Sequence, residues 1–280
     1  MIFERFSKLL TKCKHTYQVV DEQIATDTIR FYKFIPRKKR GESTIVSLHG
    51  TGNDALYPHL QLFLHWLELG FEVMAFDLPG HGRHSTSFFD HNNNHKLIQR
   101  CLEKIYSSHE NRSLHYIGYS LGGAELLNLH FRQNTIPKPD SIHIVATPIS
   151  PWKISWRAAN ELSTFFKPKV LGTLKIYGAY GLLPSLKHFK RNEYPVRLKN
   201  PGTDYLVSAV EYFRFLDLSS LRSDMLQEDS TKLFLYYGTK DHIAPHQDGI
   251  KLAEALGGKL ISVPKANHMS ILFKPEIFEF

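Results

Sequence analysis

A serine between small neighbours is the strongest candidate for chemistry in this sequence. Gly118-Tyr119-Ser120-Leu121-Gly122 fits the pattern G-x-S-x-G. An apolar run that predicts a strand, residues 114–118, precedes the serine, and helical spacing over residues 121–131 follows it. Gly118 and Gly122 would permit a sharp strand-to-helix turn that exposes the hydroxyl at a helix N-terminus, where backbone N–H groups favour negative charge. We therefore predict that Ser120 is a nucleophile; the alternative is a glycine-rich turn with a bystander serine.

A serine nucleophile needs a general base and a carboxylate that orients the base. Asp241 follows the predicted strand 232–237, and His268 follows the predicted strand 259–263. The carboxyl ends of parallel strands meet at one edge of a sheet, so we expect both side chains near Ser120. Four histidines and one aspartate are weaker candidates for these roles: His242, His246, His81, His84 and Asp217.

These side chains would be positioned by strands that alternate with helices. Strands are predicted at residues 18–24, 28–35, 44–48, 71–76, 114–118, 141–146, 232–237 and 259–263, and helices at 55–69, 121–131, 246–256 and from about 269. The alternation predicts an α/β fold, with a mainly parallel sheet and helices on both faces. Residues 149–226 interrupt it after the sixth strand and are interpreted as an inserted lid.

The sequence resembles the α/β-hydrolase superfamily, and within it the lysophospholipase and monoacylglycerol-lipase-like members. Four motifs in the expected order carry the resemblance, which covers residues 18–148 and 227–280: His49-Gly50, Asp77-Leu78-Pro79-Gly80-His81-Gly82, the Ser120 turn, and the pair Asp241 and His268. It implies a hydrolase core of residues 1–148 and 227–280 with a lid at 149–226, although the lid sequence itself matches no family.

The resemblance also implies an oxyanion hole, which is a pair of N–H groups that hold a developing negative charge. Its donors would be the backbone N–H groups of Leu121, directly after the serine, and Thr51, directly after His49-Gly50. His49 and Gly50 would support this loop, as Gly118 and Gly122 would support the serine turn.

The charge and composition of the chain limit the classes of partner and substrate that we expect. The chain has 280 residues with 35 Lys and Arg against 27 Asp and Glu, a net charge of +8. Residues 149–226 contain twelve basic, six acidic and twelve aromatic residues. Zinc-finger spacing, RNP patterns and heptads are absent from the sequence, so we expect no nucleic-acid partner. Aromatic walls with a basic rim favour an amphiphilic or anionic acyl ester as substrate.

The first 17 residues predict an amphipathic basic helix. Apolar residues recur at helical spacing, and Arg5, Lys8, Lys12 and Lys14 lie on the other side. Such a helix could contact an anionic membrane surface or pack on the core, and both alternatives stay open. Two cysteines, no secretory apolar segment and no long apolar run indicate a cytoplasmic protein, with a peripheral membrane association left open.

The sequence therefore predicts a serine hydrolase that cleaves a carboxylic ester or thioester of an apolar acyl chain through an acyl-enzyme. We expect no cofactor. We also expect no metal, since residues 90–95, which are rich in Asp, His and Asn, fit no closed zinc geometry. Two alternatives remain: an acyltransferase with the same three residues, and a non-catalytic binding module of the same fold.

Overall fold

The computed structural model describes residues 2–51, 54–81, 91–109, 112–151, 153, 155–157, 210–221 and 230–280. Eight strands form one sheet in the order β1-β2-β4-β3-β5-β6-β7-β8. Their bounds are β1 Thr16–Ile24, β2 Asp27–Ile35, β3 Ser43–Leu48, β4 Glu72–Phe76, β5 Ser113–Tyr119, β6 Ser141–Val145, β7 Lys232–Gly238 and β8 Lys259–Val263.

Parallel pairing dominates the sheet and confirms the predicted fold class. β1 pairs antiparallel with β2, and β2 with β4, whereas every pair from β4 through β8 is parallel. All residues of β4 and β6 are buried, as expected when both faces of a sheet are covered. The parallel strands therefore end at one edge, which carries the loops after β3, β5, β7 and β8.

Helices connect and cover these strands. The α-helices whose two ends both lie in the described part of the chain are, in order, α1 Ile2–Lys12, α2 Leu60–Glu68, α3 His91–Ser107, α4 Leu121–Leu127 and α5 His246–Leu256. One π-helical turn, Asn128–Arg132, continues α4. α2 and α4 contribute mostly buried residues to the core, as their near-continuous apolar sequences require.

The helices differ from the sequence prediction at three places. α2 begins at Leu60, because Asp54 accepts the backbone N–H groups of Leu56 and Tyr57 in a turn before it. α3 was not predicted, since it begins in a run of His and Asn residues that favour loops. The predicted terminal helix is instead two 3₁₀ turns, Ser270–Phe273 and Pro275–Ile277, because proline interrupts a continuous α-helix.

The amino-terminal helix α1 packs on the sheet. Phe6 and Leu10 are fully buried, and the Phe6 ring lies 5.3 Å from that of Phe34 in β2. The lysines at positions 8 and 12 stay exposed on the other side. The chain leaves the helix at Lys12 and enters β1 at Thr16.

The segment predicted as a lid lies between β6 and β7, and most of it falls outside the described residues. Its last described part, residues 210–221, contacts the core. No helix in the described part of the chain is both long and apolar enough to cross a membrane.

Candidate active site

Ser120 occupies the turn between β5 and α4. Its backbone has φ 52° and ψ −111°, a left-handed region that a non-glycine residue enters at a cost of about 1–3 kcal/mol. The backbone N–H of Ser120 donates to Val145 O at 2.9 Å, which ties the turn to the end of β6. The strained backbone turns the serine out of the strand at the start of α4, as the G-x-S-x-G pattern requires.

Two glycines allow this turn because neighbouring backbone comes too close for a side chain. A Cβ on Gly118 would lie 2.6 Å from the carbonyl oxygen of Gly122 and the amide nitrogen of Gly123. A Cβ on Gly122 would lie 2.5 Å from Leu48 O and 2.7 Å from His49 O. Gly118 thus permits the turn itself, and Gly122 lets α4 rest on the end of β3.

The side chains of Ser120, His268 and Asp241 form one hydrogen-bonded chain. His268 Nε2 lies 3.2 Å from Ser120 Oγ, and His268 Nδ1 lies 2.9 Å from Asp241 Oδ2. Asp241 Oδ1 accepts the backbone N–H groups of Ile243 and Ala244 at 2.9 and 2.8 Å. Opposite an ionised Asp241, Nδ1 carries the imidazole proton, and the lone pair of Nε2 faces the serine hydroxyl.

The start of α4 offers a backbone donor beside Ser120. The N–H groups of Gly122, Gly123 and Ala124 donate to carbonyl oxygens. Within the described residues, the N–H of Leu121 donates no backbone hydrogen bond. Gly50 lies against the serine, since a Cβ there would be 3.1 Å from Ser120 Cβ, and Thr51 follows it directly.

His49 fixes the loop that carries Gly50 and Thr51. Its Nε2 accepts the backbone N–H of Leu78 at 2.9 Å, so its Nδ1–H donates to Gly50 O at 2.8 Å. Burial, together with the nearby ring of His81, holds the pKa of His49 well below its usual value. A neutral His49 therefore links the loop after β3 to the loop after β4.

The weaker candidates for the base and the orienting acid are not part of this hydrogen-bonded chain. His246 Nε2 contacts Ser262 Oγ at 2.7 Å, and His242 is exposed. Asp217 accepts the Ser150 hydroxyl at 3.0 Å and the backbone N–H of Ser219 at 2.9 Å.

The sequence also suggested His81 and His84 as alternative bases and residues 90–95 as a metal cluster. His81 donates to Pro79 O at 2.9 Å within its own turn. His84 and Asp90 lie outside the described residues. Among the residues that the structure describes, no group of three His, Cys, Asp or Glu side chains is arranged to hold a metal ion.

Two neighbours of Ser120, Thr147 and Tyr119, had no role in the sequence prediction. Thr147 Oγ1 donates to Ser120 O at 3.1 Å, and the hydroxyl of Tyr237 donates to Thr147 O. Tyr119 donates from its hydroxyl to His268 O at 3.1 Å. The sequence gives no local signal for these contacts, because their partners lie 27, 90 and 149 residues away.

A second buried polar cluster lies on α4. Glu125 Oε2 is 2.7 Å from His95 Nδ1, and Glu125 Oε1 accepts the hydroxyl of Tyr212. Burial raises the pKa of Glu125, and the hydrogen bond with His95 opposes that rise. Arg132 donates to the backbone oxygens of Phe215 and Asp217 at 3.1 and 2.6 Å. These contacts hold residues 210–221 against α4 and the π-helical turn that continues it.

Comparisons with known proteins agree with this architecture. A family model described as the alpha/beta hydrolase fold matches residues 43–275. Solved structures with the same fold include Est1E from Butyrivibrio proteoclasticus with ferulic acid bound, at 14% identity and a TM-score of 0.61, covering 92% of this chain and 95% of that one. Another is the thioesterase domain from the curacin biosynthetic pathway, at 15% identity and a TM-score of 0.61, covering 93% and 97%.

A third similar structure is a bacterial membrane phospholipase A, at 15% identity and a TM-score of 0.59, covering 98% of this chain and 86% of that one. A comparison with curated proteins found no matching relative. At these identities the solved structures establish the fold, whereas the family model spans most of the sequence. The chain therefore belongs to the α/β-hydrolase fold family.

Proposed function

We propose that this protein is a serine hydrolase that cleaves a carboxylic ester or thioester of an apolar acyl chain. One observation carries the proposal: the unbroken chain of hydrogen bonds from Asp241 through His268 to Ser120. The strained backbone of Ser120 and the N–H of Leu121 beside it give further support. These are the nucleophile, base, orienting acid and electrostatic donor that acyl transfer requires.

In the first step Ser120 Oγ attacks the acyl carbon while His268 Nε2 takes the hydroxyl proton. The carbonyl π electrons move to the oxygen, and the N–H groups of Leu121 and Thr51 hold the resulting oxyanion. Asp241 stabilises the imidazolium that has formed. The intermediate then expels an alcohol or thiol, which takes the proton from Nε2 and leaves the acyl group on Ser120.

In the second step water attacks the acyl-enzyme. His268 Nε2 takes a proton from the water, and the same two N–H groups hold the second oxyanion. The intermediate expels Ser120 Oγ, which recovers its proton from His268 as the carboxylic acid leaves. An alcohol or amine in place of water would make the protein an acyltransferase, which is the second candidate.

The substrate proposal rests on the composition of residues 149–226. Their aromatic and basic residues favour an apolar acyl chain attached to an anionic head, as in a lysophospholipid. Esters of graded acyl length test this proposal. A preference for long chains would support it, and faster turnover of acetyl esters than of long-chain esters would contradict it.

A peripheral contact with an anionic membrane is also a proposal. Lys12 and Lys14 are exposed, whereas Phe6 and Leu10 are buried, so attraction would come from charge more than from insertion. Sedimentation with vesicles that contain phosphatidylserine should then fall steeply as salt rises. Binding that does not change with salt would contradict it.

The test of catalysis is covalent labelling by a fluorophosphonate. The wild type should be labelled and Ser120→Ala should not. Ser262→Ala is a matched control, because Ser262 also lies within hydrogen-bond distance of a histidine, His246, but outside the proposed site. Labelling that persists in Ser120→Ala, or a folded wild type that is not labelled, would contradict the proposal. The second result would favour a non-catalytic binding module.

A further inference from the structure

Tyr119 joins the serine turn to the loop that carries the proposed base. It is the last residue of β5, directly before Ser120, and only 2% of its surface is exposed. Its hydroxyl donates to the backbone oxygen of His268 at 3.1 Å. Its ring centroid lies 5.1 Å from that of the His268 imidazole, with the planes tilted by 41°. One side chain therefore contacts both the backbone and the ring of His268.

The same ring also contacts the loop after β3. A Cβ on Gly50 would lie 2.8 Å from Cδ1 and Cε1 of Tyr119, so the loop backbone rests directly on the ring. The buried ring of His59 packs edge-on at 5.6 Å. Tyr119 thus lies between the loop of the proposed oxyanion donor Thr51 and the loop of the proposed base.

We propose that Tyr119 is a positioning residue that holds His268 at the distance from Ser120 that proton transfer needs. This inference rests on the proposed function, and it extends that function to a residue with no assigned role in the motif. The contact between His268 Nε2 and Ser120 Oγ is already long, at 3.2 Å. A small shift of the His268 loop would therefore break a working hydrogen bond, and misplacement by 1 Å can cost about 100-fold in rate.

Tyr119→Phe isolates the hydroxyl, because the ring and its contacts with Gly50 and the imidazole remain. Losing one buried hydrogen bond should lower kcat about three- to tenfold, with little change in KM. Because the hydroxyl is buried and bonded to the His268 backbone, we expect it not to contact the substrate, and substrate binding should be nearly unaffected. Unfolding by heat or urea, measured alongside, shows how much stability the same hydrogen bond contributes.

Tyr236→Phe is the matched control. Tyr236 is fully buried in the adjoining part of the sheet, and its hydroxyl accepts the backbone N–H of Glu279 at 3.2 Å and lies 3.0 Å from His143. It touches none of the three side chains of the proposed site. We expect Tyr236→Phe to lower stability while kcat stays at the wild-type value.

A double-mutant cycle tests whether Tyr119 acts through His268. In a His268→Ala background, Tyr119→Phe should no longer lower the residual rate of fluorophosphonate labelling. An equal loss of rate in both backgrounds would overturn the proposal and indicate a general structural effect. Wild-type kcat in Tyr119→Phe would also overturn it.

A spectroscopic measurement separates this inference from the proposed function. The Nδ1 proton of His268, hydrogen-bonded to Asp241, should give a low-field proton NMR signal in the wild type that shifts or broadens in Tyr119→Phe. If the folded wild type proves inert and the signal changes in the variant, the proposed function fails and the positioning role stands. An unchanged signal overturns the positioning role whether or not the protein is a hydrolase.

Discussion

Asp241→Asn should nearly abolish activity while leaving the fold intact, for a reason visible in the loop after β7. Oδ1 of Asp241 accepts two backbone N–H groups, from Ile243 and Ala244. An asparagine must place its carbonyl oxygen there, because its amide nitrogen cannot accept a hydrogen bond. The –NH₂ group then faces His268 Nδ1, in the position that Oδ2 now occupies at 2.9 Å.

This orientation reverses the imidazole tautomer. Because the asparagine –NH₂ donates, Nδ1 must accept, and the ring proton moves to Nε2. A protonated Nε2 cannot take the proton of Ser120, so the general base is lost although every atom is nearly in place. The equivalent exchange in a serine protease lowers kcat by about 10⁴, and we expect a similar loss here.

Stability should change much less than activity. The two backbone hydrogen bonds of the turn remain, and only the bond to the imidazole changes, so the free energy of unfolding should fall by about 1–3 kcal/mol. Asp140→Asn is the matched control. Asp140 also accepts a backbone N–H, that of Leu114 at 2.8 Å, but at the opposite end of β5.

The assay compares kcat for a chromogenic ester, the rate of fluorophosphonate labelling, and urea unfolding for the wild type and both variants. Asp140→Asn should retain wild-type kcat. Activity of Asp241→Asn within tenfold of the wild type would refute the tautomer argument, and so would an inactive variant that no longer folds.

Three further predictions concern the surroundings of the site and the fold. His49→Ala should lower the free energy of unfolding by about 1–3 kcal/mol for each of two backbone groups left unpaired, and unchanged urea unfolding would contradict this. Gly118→Ala should abolish fluorophosphonate labelling, because its methyl would lie 2.6 Å from backbone atoms of the turn; wild-type labelling would argue against that packing. Burial would raise the pKa of Glu72, but hydrogen bonds from His109 and Lys33 outweigh burial and lower it to about 2 from 4.5. The stability that this lowered pKa contributes is present above pH 4.5 and is lost as the pH falls toward 2. In Glu72→Gln, the free energy of unfolding measured with urea should therefore depend less on pH between 4.5 and 2, and a pH dependence equal to that of the wild type would contradict this.

The serine turn and the strand ends were predictable because their signals are local. Small residues around Ser120 specify a tight turn, and apolar runs that stop at Asp241 and His268 specify two ends of parallel strands. Each signal lies within a few residues of the feature that it predicts. The order of the elements along the chain then restricts the topology to very few alternatives.

The helix α3 shows where local signals conflict. Its first turn contains His and Asn, which favour loops, and this composition concealed its start. Further along, Leu97, Ile98, Cys101, Leu102 and Ile105 are buried at helical spacing. That second pattern was available in the sequence and would have identified the helix.

The buried polar contacts could not be predicted, because they join residues that are distant in the chain. Glu125 meets His95 across 30 residues and Tyr212 across 87. Each of these side chains alone fits an exposed helix position equally well. Only the packing of α3, α4 and residues 210–221 decides that the carboxyl group is buried and therefore needs partners.

The contacts between loops at the sheet edge that carries the proposed site follow a single pattern. The backbone N–H and C=O groups of loops that follow parallel strands have no partner in a neighbouring strand. Where such a loop is buried, these groups need other hydrogen-bond partners within the protein. His49 links the loops after β3 and β4, Thr147 links the segment after β6 to the serine turn, and Lys240 N–H donates to Ala266 O between β7 and β8. Tyr119 then connects the loop after β8 back to β5, across the two strands that lie between them. The first three links join loops that follow neighbouring strands of the sheet. The Tyr119 link crosses the proposed site, and for this reason we expect its loss to lower the rate of catalysis more than the stability.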